Sequence, residues 1–140
     1  MKLQIYMLLI VFIASCNCVV TAQNNSASNV YIQQIGVNNK TNTNIISENN
    51  AIAVYQNGAN NKVQIEVLAK SIKESIIQIG YNHSVLNYGI DSKSQHDIQV
   101  LQRGKNQNLI MQGSNSISNK MAISMKGKQQ TIIVRNIKRR

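Results

Sequence analysis

Apolar and polar residues alternate along most of the chain after residue 28, and this is the period of β-strands. In the first such stretch Val30, Ile32 and Gln34 share one face, and the alternation returns in the stretch that ends at Gln56. It resumes after each glycine of the Gln-x-Gly triplets, which occupies the place where the backbone needs a positive φ. The pattern therefore predicts strand, tight turn and strand in succession.

The strand-turn-strand unit recurs with a period of about 22 residues, which indicates stacked structural units and not one mixed core. Later copies are offset by about 24 and 23 residues. The copies read Gln34-Ile-Gly36-Val-Asn-Asn39, Gln56-Asn-Gly58-Ala-Asn-Asn61, Gln78-Ile-Gly80-Tyr-Asn-His83, Gln102-Arg-Gly104-Lys-Asn-Gln107 and Met125-Lys-Gly127-Lys-Gln-Gln130. We expect units at about 28–45, 50–67, 72–88, 96–113 and 119–136.

One such unit cannot bury its apolar face alone, but a stack of units can, at roughly 4.8 Å per layer. The predicted fold is an all-β, amyloid-like β-solenoid of about five layers. Amide side chains at equivalent positions then form ladders along the stack. The expected ladder residues are Gln34, Asn39, Gln56, Asn61, Gln78, Gln102, Gln107 and Gln130. The expected turn residues are Gly36, Gly58, Gly80, Gly104 and Gly127. We also expect irregular backbone around 70–75 and 89–95, because Glu74 points inward and polar residues cluster after Gly89.

The composition suits stacked strands, since the chain has no Pro and no Trp and its one Phe lies near the start. Residues 1–22 predict a secretory signal peptide: Lys2 is followed by a short apolar run, and Val20-Thr21-Ala22 suits cleavage before Gln23. Residues 23–27 then form a short leader, and 28–140 the repeat domain. An alternative is a lipobox ending at Cys16, which would leave a lipidated N-terminus. We expect no disulfide in the chain cleaved after Ala22.

Charge is placed unevenly in this basic chain of 140 residues, whose net charge is +10. No acidic residue follows Asp97. Such asymmetry is typical of a partner or surface of opposite sign. The candidate anchoring residues at the basic end are Lys120, Lys126, Lys128, Arg135, Lys138, Arg139 and Arg140.

The repeat resembles that of the curlins, the secreted subunits of bacterial curli amyloid fibres, whose motif is similar to Ser-x5-Gln-x-Gly-x-x-Asn-x5-Gln. Ser28, Gln34, Gly36 and Asn39 follow it, and the resemblance extends from Ser28 to Asn136. Departures are His83, Gln107 and Gln130 at the Asn position, and Ile45, Val67, Gly89, Gly113 and Asn136 at the closing Gln.

Curlins comprise a major fibre subunit and a minor, surface-associated nucleator. With Met125 in place of Gln and a basic end, this chain looks more like the minor one. The resemblance implies an extracellular fibre at the bacterial outer surface, acting in biofilm adhesion. It also implies the major subunit, further copies of the chain, the curli secretion pore and accessory proteins as partners.

The sequence favours no enzyme, cofactor or metal site. His96 and Asp97 are neighbours and point to opposite faces of a strand, and His83 occupies the motif Asn position. No aromatic residue follows Tyr88 to support specific nucleic-acid stacking. The alternatives that remain open are a major fibre subunit and a soluble β-solenoid that binds an anionic polymer.

Overall fold

A computed structural model describes residues 17–22, 28–46, 49–113 and 119–136 of the chain. These residues are 91% strand without any helix, and they form a parallel β-solenoid of about four turns. The predicted all-β solenoid is therefore confirmed, while the count of five layers stays a prediction. Within the described ranges, no helix is long and apolar enough to cross a membrane.

In the described residues seven strands build the solenoid, and every pairing between them is parallel. They are β1 (Asn17–Ala22), β2 (Ser28–Val37), β3 (Lys40–Ile46), β4 (Asn49–Ala59), β5 (Lys62–Tyr81), β6 (Ser84–Gln112) and β7 (Asn119–Arg135). β5 and β6 are longer than the predicted units, because the chain stays extended from one motif turn through the following corner to the next motif.

Pairing register places the repeats directly over one another. Gln34 pairs with Gln56, Gln56 with Gln78, Gln78 with Gln102, and Gln102 with Met125. We call each motif strand of this stack a rung: 28–37, 49–59, 71–81, 95–105 and 119–128. The unequal sequence spacing is absorbed at two register shifts. Ala69 pairs with Asp91 but Ser71 with Gln95, which places the extra residues in the second region predicted to be irregular. The other shift lies between Asp97 and Ile98, where Lys120 is the extra residue of β7.

The core lies between the motif strands and the strands that follow each turn. Ile52, Ile76, Ile98 and Leu109 are at most 2% exposed, as the alternation predicts. Val30 and Ile32 at one end, and Met121, Ile123 and Val134 at the other, are only partly buried. The two end rungs therefore expose core side chains that the middle rungs bury.

One strand falls in the region 1–22, for which the sequence predicted only a signal peptide. β1 pairs with β3, Asn17 opposite Lys40 through Ala22 opposite Ile45. Removal of residues 1–22 would therefore leave the edge of β3 uncovered beside β2. Three predicted parts of the chain lie outside the described residues: the rest of the predicted signal peptide (1–16), the predicted leader (23–27), and the end residues Lys138, Arg139 and Arg140.

Candidate functional site: two amide ladders and a basic end

A continuous ladder of glutamine side chains runs along the solenoid. Gln34 Nε2 donates to Gln56 Oε1 at 2.6 Å, Gln56 Nε2 to Gln78 Oε1 at 2.8 Å, and Gln78 Nε2 to Gln102 Oε1 at 2.8 Å. Gln56, Gln78 and Gln102 are fully buried. Each bond satisfies groups whose burial without a partner costs about 1–3 kcal/mol.

The direction of the ladder is set by backbone carbonyls. Gln56 Nε2 also donates to the Lys40 carbonyl, Gln78 Nε2 to that of Lys62 and Gln102 Nε2 to that of Ser84. Only the nitrogen of an amide can donate to a carbonyl, so each side chain has a single consistent orientation. Within the ladder, each amide-to-amide bond then runs from a donor in one rung to an acceptor in the next rung.

The ladder stops at the last rung. Met125 occupies the glutamine position, and Gln102 Nε2 meets its sulfur at 3.5 Å. A thioether is a weak acceptor and carries no hydrogen to donate. Nothing on Met125 can therefore pass the hydrogen-bonded chain onward.

A second row follows the motif turns. Asn39 Nδ2 donates to the Gly58 carbonyl and Asn61 Nδ2 to the Gly80 carbonyl, while Asn39 Oδ1 accepts from the Asn61 backbone N–H. Each asparagine thus ties its own turn to the next one. Gln107 takes over this task, since its Nε2 donates to the Gly127 carbonyl at 3.3 Å and to Gln130 Oε1 at 3.1 Å.

His83 occupies the motif asparagine position in this second row and makes some of the hydrogen bonds that the row makes elsewhere. Its backbone N–H donates to Asn61 Oδ1, and its Nε2 lies 3.1 Å from the Ile79 carbonyl oxygen. Burial lowers the pKa of His83, opposed in part by hydrogen bonds to the backbone of Ile79 and Gly104. The neutral ring is therefore the form that the stack favours.

The motif glycines are required by two features at once. The φ values of Gly58 and Gly80 are +129°, and a Cβ on either would overlap the carbonyl of the glycine in the next rung. Gly36 and Gly104 are in the same situation, whereas at Gly127 a Cβ would meet only Gln130 Nε2, at 3.9 Å. The first four glycines are therefore required by the close approach of the backbone in the next rung, and not by their positive φ alone.

The tight turn itself is centred two residues later than the sequence predicted. Left-handed backbone with φ near 55° occurs at Asn38, Asn60, Asn82, Asn106 and Gln129. Asparagine is the residue that most readily adopts this conformation after glycine, so the recurring Asn was a signal that the motif analysis missed. The glycines lie within the strands, two residues before that turn.

A buried polar cluster interrupts the apolar core between the third and fourth rungs. Asn87 Nδ2 donates to Glu74 Oε1, His96 Nε2 lies 3.4 Å from the same oxygen, and Asn87 Nδ2 lies 3.3 Å from His96 Nε2. All three side chains are at most 2% exposed. The inward position of Glu74 was predicted, but its meeting with Asn87 and His96 was not.

The basic end forms an ordered grid on the surface. Arg103 pairs with Lys126 and Lys105 with Lys128 in adjacent strands, and all four side chains are exposed. Lys105 Nζ lies 5.5 Å from the centre of the Tyr81 ring. Lys120, at φ +85°, and Arg135 are also exposed. In the described part of the chain no carboxylate forms an ion pair with the four grid residues, so the grid is a surface of like positive charges.

Among the described residues no cluster of three metal-capable side chains occurs. Comparison of the chain with protein-family models, with curated proteins and with solved structures gave no match. The site is therefore interpreted from its own geometry.

Proposed function

We propose that this chain is a secreted, curlin-like amyloid subunit, the minor one that nucleates fibre assembly at the bacterial outer surface in biofilm adhesion. The observation that carries the proposal is the buried ladder from Gln34 to Gln102. Parallel, in-register strands with stacked amides are the construction principle of amyloid fibres. Here one chain builds that arrangement within itself and can offer it as a template.

The ends of the stack support assembly. Among the described strands, β2 pairs only with β4, and β7 pairs only with β6. An end strand with unpaired backbone groups accepts further strands unless it is protected. Strand addition to β2 can repeat the contacts that β2 already makes with β4.

The residues of the last rung favour the role of a nucleator over that of the major fibre subunit. It lacks the ladder glutamine and carries the exposed Lys126 and Lys128, and the exposed Arg135 ends the same strand, β7. A fibre-forming subunit needs two compatible ends, whereas a nucleator needs one end that templates and another that attaches. We assign attachment to the basic end from Lys120 onward, with the anionic cell surface or an acidic accessory protein as its partner.

A seeding assay tests this proposal. Trace amounts of the chain beginning at Gln23 are added to the more neutral Gln/Asn-repeat subunit of the same bacterium, and dye-reported fibre growth is followed. We expect the lag phase to disappear with the wild-type chain and to persist with Gln34→Ala/Gln56→Ala. Gln33→Ala, a change at an exposed neighbour of Gln34, is the matched control and should seed normally. If the wild-type chain leaves the lag phase unchanged, the proposal that it acts as a nucleator is wrong.

A second candidate is a soluble solenoid that binds an anionic polymer, and the exposed grid of Arg103, Lys105, Lys126 and Lys128 favours it. Such a protein would remain monomeric in the seeding assay and would bind a polyanion with strong salt dependence. Robust growth of fibres from the chain alone would instead indicate the major subunit.

A further inference from the structure

We propose that the outer face of the motif strands is an interface between two copies of this chain that lie side by side and parallel. The inference goes beyond the proposed function, which concerns the two ends of the stack and not its sides. It follows from a groove, a matching ridge and a pair of opposite charges on the same face.

The groove runs along the solenoid axis, where most of the outward residues are small. Its floor consists of residues that lie over one another in rungs two to five: Ala53, Ser75, Gln99 and Ala122. Two hollows of about 290 and 310 Å³ both include Ser75 and Gln99, so the groove is continuous. Tyr31, which is 61% exposed, occupies the equivalent position in the first rung and closes the groove there.

A ridge of large apolar side chains runs beside the groove. Tyr55, Ile77 and Leu101 lie two positions further along their strands, one in each of rungs two to four, and remain partly exposed. The first and last rungs have Gln33 and Ser124 at this position, so the ridge ends there. A contiguous apolar stripe beside a groove is typical of a surface that another protein covers.

A two-fold axis parallel to the solenoid, midway between ridge and groove, places the ridge of each copy in the groove of the other. Equal rungs then face each other, and Ile77 of one copy lies over Ser75 of its partner. Facing sheets about 10 Å apart interdigitate their side chains in this way. An axis along the strands would instead place ridge against ridge and leave both grooves empty.

The same arrangement brings opposite charges together. In the fourth rung Asp97 lies two residues before the groove and the exposed Arg103 two residues after the ridge. Each Arg103 therefore faces Asp97 of the other copy, and symmetry makes this contact twice. Among the described residues Asp97 forms no ion pair, although Lys73 lies opposite it in the adjacent strand. The second copy thus supplies a carboxylate to the basic grid.

The neighbouring charges limit the contact to rungs two to four. In the third rung Lys73 faces Ile79 of the other copy, and its aliphatic stem can lie along that side chain. In the last rung Lys120 faces Lys126, so like charges keep the copies apart there. The matched area spans about 14 Å along the axis, which predicts a weak dimer. Both β2 ends lie at one end of this dimer, and both basic ends at the other.

A charge exchange between two variants tests the interface. Asp97→Arg makes both charged contacts cationic and Arg103→Asp makes both anionic, so each variant alone should dimerise about tenfold more weakly than wild type. Mixed in equal amounts, the two variants are complementary and should form a heterodimer of about wild-type strength. Lys105→Asp, the same charge change two residues further along the strand, is the matched control and should dimerise like wild type.

Sedimentation velocity of the freshly folded chain at low salt and increasing concentration measures the dimer, and circular dichroism verifies the strand content of each variant. Ala53→Lys, in the floor of the groove, tests the apolar contact separately and should also weaken the dimer. Thr131→Lys, at an exposed position of the other sheet, should not. A wild-type chain that stays monomeric overturns the interface, and so does a mixture that dimerises no better than either charge variant alone.

Discussion

The middle rungs and the last rung are copies of one repeat but have different environments. Around Gln56 and Gln78 the interior is sealed, with amides bonded on both sides. Around Met125 the ladder has ended, and Ile132 and Ile133 are 37% and 54% exposed. The difference teaches that a repeat is stabilised by its neighbours more than by its own residues, as expected for quasi-one-dimensional folds.

The largest effect should come from adding one methyl group to a middle glycine. Gly58→Ala places a Cβ against the Gly80 carbonyl at φ +129°, and we expect a loss of about 4 kcal/mol or failure to fold. Gly127→Ala has the same type of backbone strain but an open neighbourhood, and should lose only about 1 kcal/mol. Denaturant unfolding measures both. Equal losses would show that the positive φ, and not the stacking distance, requires glycine.

Removal of a ladder amide should have the next largest effect. Gln78→Ala leaves the Nε2 of Gln56 and the Oε1 of Gln102 without this partner and creates a cavity, so we expect a loss of about 3 kcal/mol. Gln130→Ala, in the half-buried last turn, removes one bond from Gln107 and should lose about 1 kcal/mol. Midpoints of chemical unfolding compare the two variants. If Gln78→Ala lowers the stability less than Gln130→Ala does, the buried ladder contributes little to the free energy of unfolding.

Acid should weaken the middle of the stack through His83. Because burial lowers its pKa in the folded chain, the unfolded chain binds the proton first as pH falls below about 6.5. Stability should therefore be constant above that pH on this account and decrease below it. His83→Asn, which restores the motif residue, should flatten this part of the pH profile.

The cluster of Glu74 and His96 is present in both the His83→Asn variant and the parent chain, so the difference between their profiles isolates His83. Unfolding temperatures measured from pH 7 to pH 5 provide the comparison. Parallel profiles for the two proteins would contradict the assignment.

The smallest effect concerns like charges in the last two rungs. Arg103 lies opposite Lys126, and Lys105 opposite Lys128, an arrangement that is slightly unfavourable on a sheet. Lys128→Gln should raise the unfolding temperature by about 2 °C at low salt, and added salt should erase the gain. Arg135→Gln is the control, because this exposed cation of the same strand lies opposite the uncharged Gln112. A decrease at low salt would mean that Lys128 stabilises the folded chain.

Much of this architecture could be predicted because alternation and period both act along the chain. Together they identified the inward residues and the stacking of Gln34, Gln56, Gln78 and Gln102. The direction of the ladder could not be predicted, since it depends on which carbonyl each amide nitrogen reaches. The meeting of Glu74, Asn87 and His96 required the register of three strands, and the positive φ of Lys120 arises from an extra residue between paired positions of β6 and β7.

Residue-resolved amide hydrogen exchange of the folded chain tests the contrast between middle and last rungs most directly. Exchange follows local opening, so protected amides report the rungs that open least. We predict the strongest protection from residues 54–58 through 76–80 and 100–104, and markedly weaker protection in 121–135. Equal protection along the chain, or the strongest protection in the last rung, would contradict a stack held together by its buried amide ladder.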